Sequence, residues 1–219
     1  YATAWNTRTG AAPLVIAHRG ASGRRPEHTE AAYALALEQG ADILEPDLQM
    51  SADGQLIVRH DPYLSTSTDV ASRPEFAARA AARNGRTDWW VMDFTADELR
   101  TLTARQVFED RDQSHNDQYP VLTFEDFLDF VSEQQILCDC TIPIEPEVKL
   151  PELYAAAGLD PLPALIEALE ARGLNAEGAP VIIQSFNAAF LQRLRPQTPL
   201  DLAMLYAGPG EPGYDAGGL

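Results

Sequence analysis

Two histidines, three carboxylates and a lysine are spaced so that a few chain turns could gather them: His18, Glu45, Asp47, His60, Glu147 and Lys149. An imidazole moves protons near neutral pH. Carboxylates that share one spot hold a hard divalent cation, Ca2+ or Mg2+. The dipeptide Asp53-Gly54 between two apolar runs predicts a hairpin. A two-residue turn there pairs Ala52 with Gln55 and, counting outward, Asp47 with His60. Their Cβ atoms would then lie roughly 5 Å apart on one face. Glu45, two residues before Asp47, shares that face by strand alternation. This is the start of a metal-assisted acid/base site.

Other segments bring more of the same chemistry. The triplet His18-Arg19-Gly20 follows the apolar run Leu14-Val15-Ile16-Ala17. A polar triplet at the carboxyl end of a buried strand is where α/β proteins build their sites. In Pro143-Ile144-Glu145-Pro146-Glu147-Val148-Lys149, residues 145, 147 and 149 alternate onto one face. Glu147 reads as a cation ligand and Lys149 as a partner for an anion, with Glu145 deeper on that face as a further candidate. The bland alternatives are ion pairs: Glu45 or Asp47 with Arg19 or Arg59, and Glu147 with Lys149. His28 and His115 sit in loop-like contexts and read as solvated. Trp89 and Trp90 read as packing or rim groups.

The elements that must position these residues alternate. Strands are expected near 14–18, 42–49, 55–60, 141–148, 181–184 and 200–206, and helices at 29–39, from Thr95, from Thr123, at 163–172 and at 188–194. Strand–helix alternation predicts an α/β barrel of parallel strands forming one catalytic domain over 1–219. Residues 62–120 break the rhythm and read as an insertion after the third strand, lying over the barrel mouth. A closed barrel of this kind has eight strands, so the pattern predicts one truncated after about six. The Gly/Pro-rich residues 207–219 read as a loop.

Composition narrows the partners. The formal net charge is −17 over 219 residues. No basic footprint for nucleic acid is present, and an acidic surface disfavours anionic lipid. No apolar run of about 20 residues could span a membrane. Tyr1 to Trp5 lacks the charged and apolar segments of a secretory signal. The insertion and the lack of basic character favour an extracytoplasmic location, periplasmic or secreted. Cys138 and Cys140, two apart, would be about 6.5 Å between Cα atoms on a strand, near the limit for a disulfide, so they read as buried free thiols.

Taken together the motifs resemble the glycerophosphodiester phosphodiesterase family, in its extracytoplasmic-type branch. The matching segments are Ala17-His18-Arg19-Gly20-Ala21, Pro26-Glu27-His28-Thr29, the run Gly40 to Asp47, Asp53-Gly54, His60 to Leu64, Pro146-Glu147-Val148-Lys149 and Gln184-Ser185-Phe186. Position 28 is His where the family usually has Asn. The resemblance implies a TIM barrel and hydrolysis of a small-molecule glycerophosphodiester to an alcohol and glycerol 3-phosphate with one divalent cation. It implies Glu45, Asp47 and Glu147 as metal ligands, and His18 and His60 as the acid/base pair. It implies Arg19, Lys149 and Glu27 as substrate-binding residues, with Arg19 and Lys149 on the phosphate and Glu27 as a positioning loop carboxylate. By analogy a glycerol hydroxyl attacks first, and water opens the resulting cyclic phosphate. Two other readings are a lysophospholipase D-type enzyme, with an acyl groove from Trp89, Trp90 and Phe94, and a non-catalytic binding module.

Overall fold

The computed structural model describes residues 7, 10–83 and 85–206. Strand β1 (Ile16–His18) leads through a loop into helix α1 (Glu30–Glu38), which Thr29 caps by accepting from the Ala32 amide. Pro46 then splits the expected second strand into β2 (Ile43–Glu45) and β3 (Asp47–Met50), because it has no amide to give to the ladder. β4 (Leu56–Val58) returns antiparallel. The segment beyond holds the hairpin β5 (Ala81–Arg83) and β6 (Arg86–Asp88) and helix α2 (Ala96–Arg100). Helix α3 (Phe124–Cys138), β7 (Glu147–Val148), α4 (Pro151–Ala156) and α5 (Pro161–Ala171) follow, then β8 (Ile182–Ser185), α6 (Ala188–Leu194) and β9 (Asp201–Met204). Both Thr95 and Thr123 form reciprocal capping boxes, with Glu98 and Asp126.

The main sheet runs β4-β3-β7-β8-β9, parallel except for β4, and β1 pairs in parallel with β2. Bridges from Ile144 to Leu44 and to Val181 knit the two sheets into one arc. The fold class is thus the α/β barrel type expected, and all six strand regions form. Among the described residues the arc is open, with β4 and β1 along one side and β9 at the other. Residues 207–219 lie outside the described set.

Alternation along the arc divides its two faces. Leu44, Leu48, Ile144, Val148, Val181 and Ile183 pack outward in one buried cluster with Phe127, Phe130, Leu165, Leu169 and Phe190 from the helices. Each such side chain contributes about 1.5–3 kcal/mol on burial. Glu45, Glu145, Glu147, Lys149 and Gln184, on the opposite parity, line the inner cavity. A second apolar cluster, including Leu64, Val70, Phe76, Val91, Phe94 and Leu99, supports residues 62–120. Gln106 and Arg111 of that segment donate to backbone carbonyls of Ser22 and Arg25, tying it to the loop after Gly20.

Three expectations are corrected. The hairpin register differs by one: Leu48 faces Val58 and Met50 faces Leu56, so Asp47 lies opposite Arg59, whose amide bonds the Asp47 carbonyl at 2.9 Å. The turn holds three residues, Ala52-Asp53-Gly54, with Gly54 at φ +79°. Cys138 and Cys140 are an exposed disulfide. Helix α3 runs through Cys138, and Asp139 at φ 51° folds the chain back, bringing the Cα atoms to 5.2 Å. Trp89, Trp90 and Phe94 pack within the 62–120 segment and none lines the cavity, so they form no acyl groove.

Gly20 is the tightest point of the loop that carries His18. It sits at φ +77°, and a Cβ there would meet the Ala32 carbonyl carbon of α1 at 2.7 Å. A left-handed side chain costs about 1–2 kcal/mol and the overlap about 1–3 more. Gly20→Ala is therefore expected to lower stability by about 3 kcal/mol in urea denaturation. An unchanged midpoint would show that α1 and the loop are not locked together.

Candidate active site

A cavity of about 800 Å³ opens at the carboxyl ends of the parallel strands, and His18, Arg19, Glu45, His60, Glu147 and Lys149 all line it. They arrive from several strand ends: His18 and Arg19 from β1 and just beyond it, Glu45 from β2, Glu147 and Lys149 from β7 and just beyond it. His60 gets there because β4 ends at Val58 and the chain leaves the ladder, not because it pairs with Asp47. Its Nδ1 lies 2.8 Å from Asp61 Oδ1, and Asp61 also accepts from Thr66. An Nδ1–H donated to Asp61 leaves the Nε2 lone pair free.

Asp47 is the hub. It is completely buried, with Arg19 Nε at 3.2 Å and His28 Nε2 at 2.9 Å from Oδ2, and Lys149 Nζ at 3.1 Å from Oδ1. Burial works against its charge, but the His28 hydrogen bond and then the Lys149 ammonium hold its carboxyl well below the usual range. His28 is the residue that sequence reasoning misplaced. It is fully buried, not solvated. Burial pushes its pKa down, and its ring is held between Asp47 Oδ2 at Nε2 and the Tyr33 hydroxyl oxygen at Nδ1, each 2.9 Å away. His115 takes no part in the cavity and lies 3.9 Å from Asp112.

Arg19 adopts φ 62°, a strained conformation for a non-glycine residue. Its amide donates to the Glu45 carbonyl at 3.0 Å, and its guanidinium reaches Glu27 at 3.1 Å and His18 Nε2 at 3.2 Å. Glu27 is buried and off the cavity wall, so it acts on Arg19 rather than on a ligand. Burial and then the adjacent Arg19 lower the His18 pKa. Gln184, which the sequence matched to the family without a role, donates from Nε2 to Glu45 Oε1 at 3.0 Å and fixes that carboxylate.

The donor set suits a hard cation. Ligand atoms of His18, Glu45 and Asp47 lie within 4.8 Å of one another. Glu147 joins them through Lys149, whose Nζ is 2.8 Å from Glu147 Oε1. Asp47 Oδ1 and Glu147 Oε1 are buried with no hydrogen bond, touched only by that ammonium as an ion pair. Crowding shows in the acids: burial, and then neighbouring Asp47, push Glu45 well up and Glu147 to about 7. Oxygen-rich, negatively charged and under-bonded, the cluster is what Ca2+ or Mg2+ would satisfy.

An α/β arc brings carboxylates, imidazoles and basic groups together at its strand ends, a set able to hold a cation beside an anionic ligand. The chain belongs to the glycerophosphoryl diester phosphodiesterase family, whose model matches residues 18–216. It is 34% identical over 215 residues to a glycerophosphodiester phosphodiesterase of Haemophilus influenzae, covering 91% of this chain and 58% of that protein. An Arabidopsis thaliana glycerophosphodiester phosphodiesterase is 35% identical over 82% of this chain and 51% of its own length. The chain thus spans little more than half of these two relatives. A crystal structure of a putative family member from Silicibacter pomeroyi superposes with a TM-score of 0.71 at 25% identity, over 91% of this chain and 66% of that one. A phosphodiesterase of Oleispira antarctica, solved with the product sn-glycerol-3-phosphate, shares the fold at a TM-score of 0.63 and 24% identity, over 90% of this chain and 68% of that one.

Proposed function

We propose that this chain carries the site of a glycerophosphodiester phosphodiesterase, releasing an alcohol and glycerol 3-phosphate. The observation that supports it most is that both histidines, Arg19, Lys149 and two of the three acids line one cavity, with the third acid, Asp47, directly behind them. Glu45, Asp47 and Glu147 would hold one divalent cation, Ca2+ or Mg2+. When bound, that ion neutralises the acids and stabilises charge on the phosphoryl oxygens.

The chain's own residues supply the rest. Arg19 and Lys149 face the phosphate. His60, with Nδ1 held on Asp61, presents Nε2 to take a proton from the attacking hydroxyl. His18, at the end of β1 on the same cavity, returns a proton to the leaving alkoxide. Each transfer is worth about 10²–10⁴-fold. The exposed Cys138–Cys140 disulfide supports an extracytoplasmic location, where such bonds persist. No helix among the described residues is long and apolar enough to cross a membrane.

The test is release of glycerol 3-phosphate from glycerophosphocholine after chelation and readdition of Ca2+ or Mg2+. Hydrolysis restored by either ion is expected, and no release under any condition would sink the reading. A lysophospholipid is the comparison substrate, because Leu150, Pro151, Phe186 and Leu205 form an apolar side of the cavity. Binding also predicts a thermal shift. At 100 times its Kd a cation adds about 2.7 kcal/mol, or about 5–10 °C for a chain of this size. A flat melting temperature across a calcium and magnesium titration would argue against a cation at these acids.

A further inference from the structure

We propose that Glu145 is an outer carboxylate of the cation site: it accepts hydrogen bonds from the ion's remaining hydration and so raises its affinity. The proposal rests on the reading above that Glu45, Asp47 and Glu147 hold a divalent cation.

Strand geometry places Glu145 beside Glu45. Ile144 bridges Leu44, and the Glu145 amide donates to the Leu44 carbonyl at 2.9 Å. Glu145 shares the inward parity of Glu147 and lines the same cavity. The residue is 7% exposed, and its Oε2 is buried with no hydrogen bond. Each of the other acids has partners. Asp47 has Arg19, His28 and Lys149; Glu147 has Lys149; Glu45 has Gln184 and the Arg19 amide. Glu145 has no ion pair with any Lys, Arg or His among the described residues. A buried carboxyl without a donor is costly, and a face serving only to pack would carry an apolar residue there.

The missing donor follows from coordination numbers. Ca2+ takes six to eight oxygens and Mg2+ six, and three carboxylates leave places for water. Groups that accept from an ion's outer contacts are typically worth 10–100-fold in affinity. Glu145 is placed to be such an acceptor, on the strand next to Glu45 and one alternation below Glu147.

Calorimetric titration of Ca2+ and Mg2+ into the wild-type protein and into Glu145→Gln tests this directly. The amide keeps the shape and removes the charge. A Kd weakened about tenfold is expected, with the half-maximal concentration for the thermal shift moving by the same factor. Should the glutamine variant fail to fold, Glu145→Asp retracts the carboxylate by one methylene, and a weaker Kd is again expected. Wild-type affinity in a folded variant overturns the proposal while leaving the three-ligand reading intact. Absence of cation uptake by the wild type overturns both.

Discussion

Alanine at His60 or at His18 is expected to cut glycerophosphocholine turnover by about 10²–10⁴-fold in each case, the worth of one positioned proton transfer. The fold should survive. His18 is exposed, and the His60 side chain keeps 33% of its surface in contact with solvent, so neither removal opens a cavity in the core. Melting temperatures within a few degrees of wild type are the control. The double variant should lose little more than the worse single one, because the two groups act in one step. The pair also separates two roles for His18, whose nitrogen lies within the cation-ligand cluster of Glu45 and Asp47. If His18 is the acid, calcium affinity measured without substrate stays near wild type in His18→Ala. If calcium affinity falls with activity, His18 is a ligand and the proton donor lies elsewhere. Turnover within about threefold of wild type in either variant would remove that histidine from the chemistry.

What the sequence made legible, and what it hid, follows from the range of the interactions. The six strand regions were readable because each is an apolar run closed by Gly, Pro or a polar cluster. His18, Glu45, Glu147 and Lys149 were readable because period-two alternation forces their faces once the strands exist. The hairpin register was not. Asp53-Gly54 signals a turn, but whether two or three residues close it depends on packing: the Ala52 amide bonds the Phe94 carbonyl at 2.7 Å, from a segment forty residues away. His28 was misread because its neighbours in sequence look like loop, while its partners Tyr33 and Asp47 come from α1 and β3. The disulfide was hidden by one backbone angle. Cys138 and Cys140 are too far apart on a strand but close once Asp139 turns left-handed at the end of α3. The register and His28 were decided by tertiary contacts, the disulfide by a local backbone conformation that strand spacing does not anticipate.

Asp47 concentrates those tertiary contacts, and Asp47→Asn is expected to do the most damage of any single change. The amide keeps the size and an oxygen that can still accept from His28, so the loss isolates the charge. That charge faces Arg19 and His28 from the loop between β1 and α1, and Lys149 from just beyond β7. Without it the proposed cation site loses one of three acids, and the half-buried Arg19 and Lys149 lose their shared counter-charge. Removing one member of a buried ionic cluster costs roughly 3 kcal/mol or more. A melting temperature lower by about 6–12 °C should follow. The part of the loss that comes from Asp47's own ionisation should not change between pH 5 and 8. A carboxylate held below its ordinary value contributes stability at all pH above that value, and the contribution fades only as pH falls through the folded pKa. Turnover should fall about 10³-fold, because several kcal/mol of charge stabilisation go with the ion and each 1.36 kcal/mol is tenfold. Saturating calcium should not restore it, since Arg19 would no longer be held toward the phosphate. Wild-type calcium affinity in Asp47→Asn, with turnover within tenfold of normal, would mean that Asp47 is a structural acid under the site and that the cation is held by other groups.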